Sequence, residues 1–192
     1  MIAALDVHYS ETAAHAAPVV FADWQSEQPV ASYTAIESPV AEYEAGKLVE
    51  ITRRLQSATE EDRDQLRQQL RIGLHWNTQV TLAGCNHLVS QAYCSALPVA
   101  YSPYSDNLWA EFAKLVLEAS YEATFCAAIQ NASVVGNNSL YLTLLGGGAF
   151  GNDIDWIIAA IARSVQRYQD YDLDVAIVSY GAPNAYVQQL VT

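Results

Sequence analysis

Apolar positions near the start of the chain fall in short runs separated by polar residues. Residues 2–9 (IAALDVHY) and 16–24 (AAPVVFADW) each read as a strand, and a polar turn joins them. Residues 30–37 (VASYTAIE) alternate as a third, weaker strand, so three closely spaced strands predict an antiparallel meander. Residues 39–46 read as a loop and 47–55 as the beginning of a helix. The most polar segment follows, SATEEDRDQLRQQL, in which Ser57 or Thr59 starts a helix with Glu60 and Glu61 in its first turn. Such a charge run reads as a solvated helix or connector. Composition shifts near Thr59, which divides the chain into expected units of residues 1–58 and 59–192.

Beyond this point strand and helix patterns alternate. Residues 70–74 read as a strand or a helix end, and 78–82 and 87–92 as short strands. CSALPVAYSP reads as an apolar, proline-marked loop. A long helix begins at Asp106 or Asn107 and runs to Asn131. Leu108, Phe112, Leu115, Val116, Ala119, Ala123, Cys126 and Ile129 share one of its faces. Residues 137–145 read as a buried strand, and 154–168 as a helix with Ile157, Ile158, Ile161 and Val165 inward. Residues 174–180 form a further strand ending at Gly181. Near-continuous apolar strands alternating with helices predict an α/β fold, with a parallel or mixed sheet covered by helices.

The chain has 192 residues, 52% of them apolar and 16% charged, enough to bury a substantial core. Its net charge of −12 comes without a basic patch, which argues against binding of duplex nucleic acid. Three cysteines (Cys85, Cys94 and Cys126) without CxxC spacing fit a reducing cytoplasm better than a disulfide framework or zinc site. No run approaches the ~18 apolar residues of a membrane span, and Met1 leads into its apolar run without a basic flank. The expectation is a cytoplasmic protein with no membrane partner, and no cofactor is indicated.

The stretch with the most chemistry in it is SLYLTLLGGGAFGNDIDWIIAAIARSV. An apolar run ends in Gly146, Gly147 and Gly148; Ala149, Phe150, Gly151 and Asn152 form a turn, and a helix follows. A helix start offers unpaired N–H groups and a positive dipole end, so glycines there let a phosphate come close to backbone. On this reading Asn152 caps the helix. The same residues also read as a tight turn whose glycines serve helix–sheet packing, and Asp153 and Asp155 favour that alternative by already satisfying the dipole. The spacing is neither a Walker loop nor a GxGxxG fingerprint.

LTLLGGGAFGN, a helix, and then DVAIVSYG resemble the second ligand loop of macro domains, including the branch near the poly(ADP-ribose) glycohydrolases. The preceding helix, LWAEFAKLVLEASYEATFCAAIQNA, is similar to the one before that strand in the family. The resemblance covers about residues 70–185. It implies a macro-domain-like three-layer α/β/α fold with a mixed sheet, here preceded by the N-terminal β-meander. It also implies that residues 146–152 wrap the diphosphate of an ADP-ribose-like nucleotide, with Tyr180 and Gly181 near the ligand's distal side. VSQAYCSALPVAYS stands where ordinary macro domains carry Asn-Ala-Ala-Asn, and the glycohydrolase Gly-Gly-Gly-x-x-x-Glu-Glu signature is absent. The resemblance therefore implies binding; it names no residue for a weak ADP-ribose-type hydrolysis. In a macro-like arrangement the 92–99 loop lines the ligand cleft.

IAALDVHYSETAAHAAPVVFADW, followed by VAEYEAGK, resembles the opening of endonuclease V-type, ribonuclease H-like nucleases over about residues 1–50. There Asp6 matches an aspartate that binds catalytic Mg²⁺. A two-metal site needs several converging carboxylates, and the later acids of that family have no counterpart here, so nuclease activity is not expected. Asp6 and His8 alternate on one strand face and, with His15, offer a metal set or plain polar positions. His75 and His87 are isolated. Cys94-Ser95 lacks a nucleophile elbow and an acid–base partner, and reads as part of a buried loop. Three functional readings stand: nucleotide binding at the glycine loop, a truncated nuclease relic centred on Asp6, and a structural homodimer. Homo-oligomerisation through the apolar N-terminal strands, Trp24 included, is expected because open strand edges are usually paired or covered.

Overall fold

A computed structural model describes residues 2–5, 45–179 and 185–188. Five strands form one sheet in the order β2-β3-β1-β4-β5: β1 (Ile2–Leu5), β2 (Gly73–Gln79), β3 (Leu88–Tyr93), β4 (Ser139–Leu142) and β5 (Asp174–Ile177). The helices are α1 (Ala45–Ser57), α2 (Glu60–Arg67), α3 (Asp106–Val135), α4 (Ile154–Arg167) and a single turn, α5 (Ala185–Gln188). The protein is α/β, with β3, β1, β4 and β5 parallel and β2 antiparallel at one edge.

β1 is not the first strand of a meander. Ile2 to Leu5 pair with Ser90 to Tyr93 on one side, and Ile2 and Ala3 pair with Leu140 and Tyr141 on the other. A strand has two hydrogen-bonding edges and β3 and β4 occupy both, so a strand from before residue 58 lies between two from after it. The expected strands at 16–24 and 30–37 lie outside the described residues.

The register places Ser90, Leu140 and Val175 in one row across the sheet, and Leu74, Ala92 and Ile177 in the next. These face the helices. Ala92, Leu140 and Leu142 are buried in one core with Leu117, Tyr121, Phe125, Ile157 and Ile161, and each such large side chain contributes about 1.5–3 kcal/mol. The other sheet face carries Gln91, Tyr93 and Tyr141, half-buried, and an exposed His75. Its rings meet edge to face at His75–Tyr93, with centroids 5.1 Å apart. Among the described residues the helices form one layer, not the two of an α/β/α sandwich. SLYL is amphipathic, with Ser139 and Tyr141 on the face away from these helices, whereas β3 turns the polar Ser90 toward them.

α3 is the central helix. The expected Leu115 and Ala119 are buried, but the other buried positions include Trp109, Ala113, Leu117, Ser120, Tyr121, Thr124, Phe125, Ala128 and Asn131, a stripe rotated by about one residue from the rest of the expected face. Cys126 is exposed and Ala123 and Ile129 only half-buried. Thr124 can go inward because its hydroxyl is satisfied locally, donating to the Ser120 carbonyl at 2.8 Å. The same substitution occurs on α4, where Ser164 is fully buried and Val165 is 44% exposed. β2 begins earlier than its apolar pattern suggested, because a bulge between His75 and Thr78 resets the alternation. Asn77 at that bulge has φ 53°, and its N–H donates to the Ser90 hydroxyl at 3.3 Å.

The charged segment at 57–70 is mostly exposed, as its composition predicts, but one face of it is docked. Thr59 caps α2 and closes a reciprocal pair of bonds with Asp62. Arg67 then buries its side chain to 2% exposure, with Nη1 2.8 Å from Glu60, 2.6 Å from Asp64, and Nη2 2.7 Å from Glu118 of α3. Arg163 of α4 reaches Glu60 at 3.0 Å and Asp64 at 2.8 Å, and also pairs with Glu122 of α3. Arg167 meets Asp64 at 3.3 Å. Three helices are thus joined by one ion-pair network. α1 is fastened separately, by the Thr52 hydroxyl donating to the Leu108 carbonyl at 2.8 Å and by buried Leu48 beside Trp109 and Val99.

Candidate functional site

β3 and β4 flank β1, so the chain passes from one side of β1 to the other between them. In open α/β sheets the C-terminal strand ends at such a switch point form the usual ligand crevice. The 146–152 loop leaves β4 there. Its entry is fixed from beneath by Tyr121, whose fully buried ring carries a hydroxyl that donates to the Thr143 carbonyl at 2.8 Å and accepts the Leu145 N–H at 2.9 Å.

Within the loop several amides are used internally. The Gly147 N–H donates to the Leu144 carbonyl at 3.2 Å, the Gly151 N–H to the Gly148 carbonyl at 3.1 Å, and the Asn152 N–H to the Gly146 carbonyl at 2.9 Å. Gly147, Gly148 and Ala149 form an exposed tip. The N–H groups of Gly148 and Ala149 have no acceptor among the described residues.

The loop rests on the 94–101 segment, so the sequence's two most unusual loops meet at one end of the sheet. The Ala100 N–H donates to the Phe150 carbonyl at 2.9 Å, and the Asn152 Nδ2 to the Leu97 carbonyl at 2.7 Å. Phe150 is buried, its ring edge to face with Tyr101 at 5.8 Å. Gly146 and Gly151 have φ +72° and +67°, and a Cβ on them would lie 2.5 Å from Ala96 Cβ and 2.6 Å from Ala100 Cβ. Both glycines are therefore needed for backbone conformation and for close loop–loop packing.

Asn152 does not cap α4. Its side chain points into the loop contact, its Oδ1 without a partner among the described residues. Asp153 is the cap, its Oδ1 accepting the Asp155 N–H at 2.9 Å. Aspartate wins because its carboxylate complements the helix dipole, while asparagine's amide donor is needed at Leu97. Two carboxylates thus stand at the cap and first turn of α4, directly after the loop.

Of the other candidates, Tyr180, Gly181, Asp6, His8, His15 and Trp24 lie outside the described residues. Cys94 is buried with Sγ 3.8 Å from the Thr124 hydroxyl, and the Ser95 hydroxyl donates to the Ala96 carbonyl at 3.0 Å. His87 is exposed. No group of three or more His, Cys, Asp or Glu side chains among the described residues is arranged to hold a metal ion. No described helix is long and apolar enough to cross a membrane. The buried Arg67 was missed in the sequence. Its signal is there: acids at 60 and 64, acids at 118 and 122, and arginines at 163 and 167 each recur at the i,i+4 spacing of one helix face.

The fold and this loop define an α/β protein with a glycine-rich turn at its topological switch point. No family model matches the sequence, and neither the curated proteins nor the solved structures contain a match.

Proposed function

We propose that the chain binds an ADP-ribose-like nucleotide, or a related phosphate ligand, through the tip of the 146–152 loop, as the macro-domain resemblance implies. The observation that carries this reading is the exposed 147–149 tip at the C-terminal end of β4, beside β1, with two backbone N–H groups unclaimed by described residues. Oriented backbone amides bind anions without help from lysine or arginine, which suits a chain of net charge −12. Gly146 and Gly151 set the loop's shape in this reading, and the tip meets the ligand. A macro-domain-like arrangement and a cytoplasmic location belong to the same proposal.

Calorimetric titration with ADP-ribose tests it. Binding is expected for the natural sequence and is abolished by Gly147→Val, which places a branched side chain at the tip. The fold should survive, because the nearest atom to a new Cβ at 147 is the movable Cδ1 of Ile157, 3.2 Å away. Asp155→Asn removes a negative charge from the first turn of α4 and should tighten binding a few-fold. No heat from the natural sequence, or unchanged affinity in Gly147→Val, ends the proposal.

A structural reading has its own support in the amides that are bonded internally and in the packing of Gly146 and Gly151 on Ala96 and Ala100. It pairs naturally with self-association through the apolar N-terminal strands, which we also propose. Light scattering should then return about twice the chain mass of 21.0 kDa, and a strictly monomeric chain at high concentration would refute it.

A further inference from the structure

A second concave site lies at the opposite end of the sheet, where α3 ends and β4 and β5 begin. It is a groove of about 500 Å³, within the range of small-molecule sites. Ile129, Ala132 and Leu173 line it with Tyr171, and Ser133, Asn138 and Asp172 supply its polar atoms. None of these residues belongs to the 146–152 loop, so nothing here rests on the nucleotide reading.

One wall is aromatic. Phe125 stacks on Tyr168 with centroids 5.5 Å apart, and Tyr168 meets Tyr171 at 6.0 Å, leaving the Tyr171 ring half-exposed at the groove. The charge in its lining has one sign, although Arg167 reaches Tyr168 behind the wall. The 168–174 segment carries Asp170, Asp172 and Asp174, and no lysine or arginine occurs from 115 to 162 or after Arg167. Asp172 is the charged side chain in the lining, with the Asn138 amide 3.5 Å from its Oδ1. The groove also receives the C-terminal end of a 30-residue helix, whose last carbonyls add partial negative charge. Gly136 turns the chain there, its N–H returning to the Ala132 carbonyl at 2.9 Å.

From this we infer that the groove at 129–138 and 171–173 binds a small organic cation, an ammonium group carried on an aryl or alkyl body. The ammonium is held by Asp172 and the helix end. The body lies on Ile129, Ala132 and Leu173, against the face of Tyr171, where cation–π attraction adds to the carboxylate. Anions are repelled by the same groups, and a neutral ligand gains the apolar contact alone.

Three probes of matched shape separate these contributions: 2-phenylethylamine, 2-phenylethanol and 3-phenylpropionate. Each is titrated into the full chain, and the backbone amide NMR shifts of residues 129–138 and 168–174 are followed. The amine should shift Gly136, Tyr171 and Asp172 in a saturable way and bind about tenfold more tightly than the alcohol. The propionate should bind more weakly than either. Asp172→Asn should bring the amine down to the affinity of the alcohol while leaving the alcohol unchanged. Ala132→Leu should fill the groove and abolish both; because it can also disturb the fold, the exposed Asp172→Asn change carries the test independently. Equal affinity for amine and alcohol, preference for the propionate, or no saturable shift up to about 10 mM of amine would overturn the inference.

Discussion

Replacing Arg67 with alanine lowers the unfolding free energy by about 3–5 kcal/mol at neutral pH, the cost of breaking a buried ion pair from one side. The guanidinium is enclosed among Glu60, Asp64 and Glu118, so its removal leaves carboxylates that α2 and α3 hold against one another. Arg167, 40% exposed and on the rim of the same network, should cost less than about 1 kcal/mol when changed to alanine. Urea unfolding of both variants at pH 7 makes the comparison. An Arg67→Ala variant as stable as Arg167→Ala would show that the network holds nothing together.

The same network gives the loss a pH dependence of known sign. The bond from Arg67 holds the Glu60 carboxyl below its ordinary value of 4.5. Burial pushes the Asp64 carboxyl up, but Arg67, Arg167 and Arg163 more than reverse this and leave it below 3.8. Burial disfavours the Arg67 charge too, yet Glu60, Glu118 and Asp64 raise its pKa further. Carboxyls lowered on folding stabilise the protein fully above the ordinary carboxylate range, and that contribution fades as pH falls through their lower folded values. The gap between the natural sequence and Arg67→Ala should therefore narrow as pH falls below about 4.5. A gap that is constant from pH 7 to pH 3 would assign the loss to packing.

Gly146→Ala is the second large effect, about 2–4 kcal/mol, summing left-handed backbone strain and overpacking. The new methyl has to share space with Ala96 Cβ at 2.5 Å and Asn152 Nδ2 at 2.6 Å, at a φ of +72°. Neither neighbour is free to move: Ala96 has no rotamer to change, and the Asn152 amide holds the Leu97 carbonyl. Gly147→Ala, one residue on, should cost less than about 1 kcal/mol, since the Ile157 Cδ1 it meets at 3.2 Å is the end of a flexible side chain. Adding Ala96→Gly to Gly146→Ala should relieve the clash with Ala96 and recover part of the loss, leaving the Asn152 contact and the backbone part. Thermal unfolding of the four proteins decides this, and equal stability of Gly146→Ala and Gly147→Ala would contradict it.

Element types were largely legible in the sequence because local signals set them. The helix start at Thr59, Asp106 opening α3 and the 3.6-residue period of α4 are written within a few residues of where they act, whereas α3 runs to Val135, past the expected end at Asn131. Which face of each helix goes inward was less legible, because Thr124 and Ser164 are buried by bonding to their own helix, and a hydrophobicity pattern does not register that. The glycine loop was found at once, but the division of labour inside it was not. Gly146 and Gly151 are glycines because of Ala96 and Ala100, some fifty residues earlier, and no local rule contains that distance.

By itself, then, the sequence determined the α/β class, the long central helix and the glycine turn between β4 and α4. Tertiary structure alone decided that β1 sits between β3 and β4, that α2's charges close around Arg67, and that the 94–101 and 146–152 loops share one end of the sheet. The physical reason is common to all three. Strand edges, ionic partners and Cβ clearances are properties of pairs of segments distant along the chain, and such pairs have energies only after packing brings them within a few ångströms.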